Sequence, residues 1–194
     1  MPARGDRTRY LSSNTPAQGL IVFDTGYSRE VAERDHTGRI SAFPNAELIG
    51  GPSTAAALQE LAPNARRRSI DFDSSRTLPP FNARIVLFGD GSVTLVPGGG
   101  HTKEDLMALL ALPNGPALLA GDAIVHRDWL NSDDVQRIAV DADRAAEVRN
   151  EVRALLQGVP NLALFPGHDT PPDIGHDDIS IHHADWFELS AWME

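Results

Sequence analysis

Residues 84–126 read RIVLFGDGSVTLVPGGGHTKEDLMALLALPNGPALLAGDAIVH. Arg84–Phe88 and Ser92–Val96 are apolar, β-branched runs separated by Gly89–Asp90–Gly91. Asp-Gly between such runs predicts a hairpin. Pro97–Gly100 is a glycine-rich break that delivers His101. Leu106–Leu112 and Ala117–Ala120 predict two more strands, with Pro113–Asn114–Gly115–Pro116 as the turn between them. The last run ends in Gly121–Asp122. A histidine and an aspartate, each presented just after a strand, have the donor chemistry of a metal centre.

Downstream, Asp141 to Gln157 predicts a helix with Asp141 as N-cap. Ala145, Val148, Val152, Leu155 and Leu156 form its apolar stripe, and Gly158 suits the C′ position. Leu162–Phe165 predicts a short strand that runs into Pro166–Gly167–His168–Asp169. The tail carries His176, His182 and His183, read as surface or interface residues or as substitute ligands. Its aromatic segment, Trp186–Phe187 with Trp192, predicts a terminal helix.

Upstream, residues 1–9 are polar and predicted to fray. Leu20–Phe23 is a continuous apolar run, as expected of a buried strand. It closes at Asp24–Thr25–Gly26, where the aspartate is either functional or a turn cap. Ala46–Ile49 and Ile70–Phe72 predict short strands. Ser53 is the expected N-cap of a helix ending near Leu61. Arg66–Arg67–Arg68 reads as a solvated charge run, with anion binding the alternative. Leu78–Pro79–Pro80–Phe81 is a rigid loop. Strands in two batches with interleaved helices predict a layered α/β sandwich.

At 194 residues the chain has the length of one domain with a proper core. Acidic side chains outnumber basic ones, 27 to 17, so the surface repels phosphate backbones and nucleic acid is a poor partner. No cysteine is present, which excludes disulfides and thiolate catalysis. The N-terminus lacks the apolar region of a signal peptide. No apolar run approaches the roughly 20 residues that cross a bilayer. A cytoplasmic protein with a small-molecule substrate is expected.

His101, Asp122 and His168 share one grammar: an apolar run, a glycine, then a ligand-type side chain. Loops at the ends of adjacent strands can bring such donors together on one ion. His126, just past Asp122, reads as a surface or supporting residue. Asp35–His36–Thr37–Gly38 adds a further pair of donors.

These segments, GLIVFDTGYS, DHTGRISAFPNAEL, FGDGSVTLVPGGGHT, ALLAGDAIV and LALFPGHD, resemble in order and spacing the metallo-β-lactamase fold superfamily. The resemblance covers roughly residues 18–170. FPNAEL and GHD are most similar to the branch of N-acyl-homoserine lactonases. The resemblance implies one domain over residues 1–194, a four-layer αββα sandwich. Asp35 and His36 match the end of the family's HxHxDH motif, and His101, Asp122 and His168 match its later ligands. His101 would serve a first metal, Asp35, His36 and His168 a second, and Asp122 both.

The pattern breaks twice. The leading histidine positions of HxHxDH hold Val31 and Glu33. Val31 cannot bind metal, whereas Glu33 can, and carboxylates favour Mn or Fe over Zn. Only YSREV separates Gly26 from Ala32, so an N-terminal helix–strand segment of the family is missing. Losing a buried strand destabilises a small fold; dimerisation into a homodimer, or residues 5–17 filling the gap, would compensate.

Three readings follow. The first is a hydrolase with one or two Zn ions, in which a metal-bound hydroxide attacks an ester, lactone or amide. Asp35 would orient the hydroxide and carry the proton to the leaving group. The second is a degenerate single-metal or non-catalytic homologue. The third, suggested by Glu33, is a non-haem iron redox protein.

Overall fold

The computed structural model describes residues 10–12, 20–22, 45–72, 76–112, 115–134 and 139–169. Glu33, Asp35, His36, the Asp24 turn and the histidine-rich tail lie outside the described residues, as does the break between Gly26 and Ala32. Backbone contacts divide the chain into two compact units, Met1–Ile70 and Asp71–Glu194.

In the first unit, strand β1 (Tyr10–Ser12) pairs antiparallel with β2 (Leu20–Val22), with Leu11 opposite Ile21. Strand β3 (Glu47–Gly50), helix α1 (Pro52–Leu61) and strand β4 (Arg66–Ser69) form a parallel β–α–β unit. Two expectations are corrected here. Gly51, and not Ser53, is the N-cap, because Pro52 has its φ pre-set for the first helical position and lacks an N–H to satisfy. Ile70–Phe72 is not a strand; the strand is the arginine run just before it, whose side chains remain exposed or half-exposed. Arg68 donates to Glu47 across the pair at 2.7 Å, and Arg67 reaches the Ala62 carbonyl at 2.7 Å. The charged heads find partners while the backbone pairs with β3, so a polar sequence forms a strand.

The second unit is built on a five-stranded sheet. Its strands are β5 (Ile85–Val86), β6 (Val93–Pro97), β7 (Leu106–Leu110), β8 (Ala117–Gly121) and β9 (Ala163–Pro166), in that order across the sheet. The first four form an antiparallel meander, and β9 adds parallel to β8. The hairpin predicted at Gly89–Asp90–Gly91 is present. Both glycines have φ of 80°, and the Asp90 carboxylate accepts from the Ser92 N–H at 2.9 Å. A parallel neighbour requires a crossover, and helix α2 (Ala142–Gly158) supplies it.

Asp141 caps α2 as predicted, its side chain accepting from the Arg144 N–H. The buried face of α2 is Ala145, Val148, Arg149, Val152 and Leu155. Val148 and Val152 pack with Val96, Met107, Leu118 and Leu164 of the sheet, all at most 2% exposed. On the opposite face Val93, Leu95, Ala108, Leu110, Ala117 and Leu119 are buried too. Burial on both faces explains why these strands read as unbroken apolar runs.

Arg149 is not part of the predicted stripe, yet it shares the buried face and is 6% exposed. It donates to the Asp134 carbonyl at 2.8 Å and lies over the Trp129 ring, 5.0 Å from its centre. Arg153 reaches the Leu130 and Ser132 carbonyls. Together they tie α2 to the 3₁₀ turn Arg127–Asn131.

Gly158 is the last helical residue and not the C′ glycine. Val159 follows it in extended conformation, and the left-handed residue of this turn is Asn161, with φ of 63°. A Cβ at Gly158 would meet nothing within 4 Å. Gly158→Ala is therefore expected to stabilise the fold by about 0.5–1 kcal/mol through helix propensity and a less flexible unfolded chain. A raised urea midpoint at unchanged slope would show it.

Candidate metal centre

The topology brings three strand ends to one edge. Strand β6 runs opposite to β7, and β7 opposite to β8, so β6 and β8 point the same way. Strand β9 is parallel to β8. The residues that follow β6, β8 and β9 therefore emerge together, and these are the segments carrying His101, Asp122 and His168.

The His101 segment is anchored on the start of α2. The Asp141 N–H donates to the Gly100 carbonyl at 3.0 Å, and the Val140 N–H to the His101 carbonyl at 3.3 Å. Gly100 has φ of +118°, and a Cβ there would lie 2.7 Å from the Cα and N of Ala145. Only glycine lets the backbone pass so close to the helix. Asp105 holds the rest of the turn. Its carboxylate accepts from the Thr102 N–H at 2.7 Å and from the Thr102 hydroxyl, and its carbonyl accepts from the Gly98 N–H at 2.7 Å.

Asp122 is delivered by an irregularity. The β8–β9 register shifts between Leu119 and Gly121, and Gly121 takes φ of 51° and ψ of −145°. Such a bulge re-aims the side chain that follows it. Asp122 then opens the buried 3₁₀ turn Asp122–Ile124.

The His168 segment is zipped onto that turn. The Gly167 N–H donates to the Ile124 carbonyl and the His168 N–H to the Val125 carbonyl, both at 2.9 Å. The Asp169 carboxylate accepts from the Arg127 N–H at 3.0 Å, and the Arg127 guanidinium donates to the Leu164 carbonyl at 2.7 Å. Sequence reasoning missed this Arg127–Asp169 clamp. The carboxylate directly after His168 was the available signal.

The result is one buried carboxylate between two imidazoles. Asp122 Oδ2 lies 3.6 Å from His101 Nε2, and Asp122 Oδ1 lies 3.1 Å from His168 Nε2. The Asp122 side chain is 5% exposed, His101 12% and His168 48%. The assembly is enclosed at His101 and open to solvent at His168. The exposed His126 ring stands 6.3 Å from the His168 ring, centre to centre.

Imidazole and carboxylate are the donors that Zn²⁺ and related ions take, so the chemistry of the set fits a divalent ion. Among the described residues, however, no three His, Asp or Glu side chains form a group that could hold one. His101, Asp122 and His168 are thus brought together, while Glu33, Asp35 and His36 lie outside the described residues.

Beside this edge, Arg144 bridges Glu147 and Glu151 at 3.1 Å. Burial opposes its charge, but the bonds and charges of Glu151 and Glu147 hold its pKa above the ordinary value. Among the described residues no helix is long and apolar enough to cross a membrane.

Comparison with protein-family models gave no match, and comparison with curated proteins gave none either. Solved structures do match. A quorum-quenching N-acyl homoserine lactone lactonase is 19% identical, with a TM-score of 0.55 over 70% of this chain and 54% of that one. A quorum-quenching N-acyl homoserine lactone hydrolase is 17% identical, with a TM-score of 0.55 over 70% of this chain and 53% of that one. An N-acyl homoserine lactone hydrolase with N-hexanoyl-L-homoserine bound at its catalytic metal centre is 18% identical, with a TM-score of 0.52 over 80% of this chain and 56% of that one. The chain spans about half the length of these structures. At such identities the likeness shows the fold alone, and that fold is the mixed α/β metallo-β-lactamase fold.

Proposed function

We propose that this protein is a metal-dependent hydrolase of an ester, lactone or amide, built as one metallo-β-lactamase-like domain over residues 1–194. The observation that supports this most directly is the Asp122 carboxylate, buried and turned with one oxygen towards each of two imidazoles. A buried carboxylate flanked by two imidazoles attracts a cation far more strongly than the same groups would in water.

His101, Asp122 and His168 would hold the metal, with Asp35, His36 and Glu33 as the remaining donors. Zn is the first choice, with Mn or Fe as alternatives. A bound ion of this kind lowers the pKa of its water to about 7 and polarises the scissile carbonyl. Asp35 would orient the attacking water and pass its proton to the leaving group. Asp122 would fix both imidazoles, and the solvent-open His168 side would admit the substrate.

A second reading, a degenerate single-metal or non-catalytic homologue, is favoured by one observation. Val31 stands where the resemblance places a histidine.

Metal analysis of the full chain, combined with a lactone and ester screen headed by N-acyl homoserine lactones, separates the two. Two ions per chain with turnover that a chelator abolishes are expected for the hydrolase. One ion without turnover would establish the second reading. A chain that binds neither Zn nor Mn, with thermal stability unchanged by either, would sink both.

A further inference from the structure

On the metal reading above, in which His168 is a ligand and on which this proposal rests, we infer that Asp169 is a positioning residue. Its bond to the Arg127 N–H fixes where the His168 imidazole stands against Asp122.

The register of two strands carries this. Along β8 and β9, Ala117 faces Ala163 and Leu119 faces Phe165. Past the bulge the two segments stay joined in a new register. The Ile124 carbonyl accepts from the Gly167 N–H and the Val125 carbonyl from the His168 N–H, both at 2.9 Å. The Arg127 N–H then donates to the Asp169 carboxylate at 3.0 Å. The extra residues on the β8 side form the 3₁₀ turn Asp122–Ile124, which carries the buried carboxylate. Pairing on both sides of this turn keeps it seated on β9. Among the described residues, Asp169 closes the far end of that pairing. Arg127 also reaches back along β9, its guanidinium donating to the Leu164 carbonyl at 2.7 Å. One residue thus grips the segment on either side of His168.

His168 depends on that grip. Its side chain is 48% exposed, against 5% for Asp122. A half-exposed ring has few packed neighbours to hold it, so its placement falls to the backbone beneath. Gly167, on one side, has no side chain to anchor that backbone. Asp169, on the other, anchors it through a charge-assisted bond, which is stronger than a neutral one. Without that bond residues 167–169 are a strand end free to fray, and the 3.1 Å approach of His168 Nε2 to Asp122 Oδ1 loses its support.

Asp169→Ala and Asp169→Asn in the full chain test this with two measurements. In the metal-free protein, hydrogen exchange at the Gly167 and His168 amides is expected to quicken about tenfold in Asp169→Ala, the worth of a bond to a charged group, while α2 and β7 keep their protection. Zn²⁺ affinity, read by competition with a chelator, is expected to fall about tenfold, the lower end of the cost of losing an outer-shell partner. Asp169→Asn keeps an oxygen that accepts from the Arg127 N–H and should recover most of both losses. A double-mutant cycle with His168→Ala separates positioning from general support of the fold. Once the imidazole is gone, Asp169→Ala should cost no further affinity. Equal losses with and without His168 would overturn the proposal, as would wild-type exchange at Gly167 and His168 in Asp169→Ala. Failure of the wild-type chain to bind Zn²⁺ would overturn the metal reading, and this proposal with it; the exchange measurement distinguishes that outcome from a failure of the Asp169 bond.

Discussion

Asp122→Ala is expected to lower Zn²⁺ affinity by more than about 100-fold, beyond the usual loss from an outer-shell partner, and to abolish any metal-dependent hydrolysis. The expectation follows from position. Among the described residues Asp122 alone approaches both His101 and His168, so its loss removes the shared anion. His101→Ala should weaken binding less. It stands farther from the carboxylate, 3.6 Å against 3.1 Å, and it would serve the first site, which Val31 and Glu33 leave depleted. Asp122→Asn separates charge from shape. The amide keeps the volume but supplies no negative charge, so it should lose most of the affinity while the metal-free protein folds normally. Chelator competition and thermal melting of the three variants provide the measurement. Equal losses for His101→Ala and Asp122→Ala would mean that both metal sites are intact. Wild-type affinity in Asp122→Ala would remove the carboxylate from the site altogether.

The sheet and the three delivered side chains were legible in the sequence for a common reason. Strands β6 to β8 are buried on both faces and β9 fully on one, so each appears as an apolar run bounded by glycine or proline. The ligand-type residue after each run is visible without knowing the pairing. The meander and its single parallel addition then place those residues on one edge. Arg66–Arg68 is a charge run whose arginines stay exposed or half-exposed, as read; that it is also a strand has no apolar signature, because its partner across the pair is Glu47. Arg149 was missed because its charge argued against the stripe that its spacing fits. What zips His168 to the Asp122 turn was not legible at all. Those bonds join backbone groups that are distant in the chain, and no side-chain pattern encodes a carbonyl's partner. The Asp35–His36 pair rests on the sequence resemblance alone.

Gly167→Ala is the substitution expected to damage both stability and metal binding. A Cβ at Gly167 would land on Asp122 Oδ1 and lie 2.8 Å from the Gly121 carbonyl oxygen and 2.9 Å from its carbon. The Gly121 backbone sits in the bulge and is fixed by β8. The carboxylate is 5% exposed and has little room to swing. One methyl group therefore forces one of two changes. Either Asp122 turns away from His168, or the ends of β8 and β9 separate and the 2.9 Å bonds from Gly167 to Ile124 and from His168 to Val125 break. Overpacking of this kind costs about 1–3 kcal/mol. Either response also disperses the donors, so the loss of Zn²⁺ affinity should approach that of Asp122→Ala. Gly158→Ala is the control, because the same methyl group meets nothing within 4 Å there and should stabilise. Opposite signs for the two variants in one urea titration would locate the effect at the Asp122–Gly167 contact and exclude a general response to glycine replacement. Unchanged stability and metal affinity in Gly167→Ala would mean that the β8 and β9 ends stand farther apart than this contact requires.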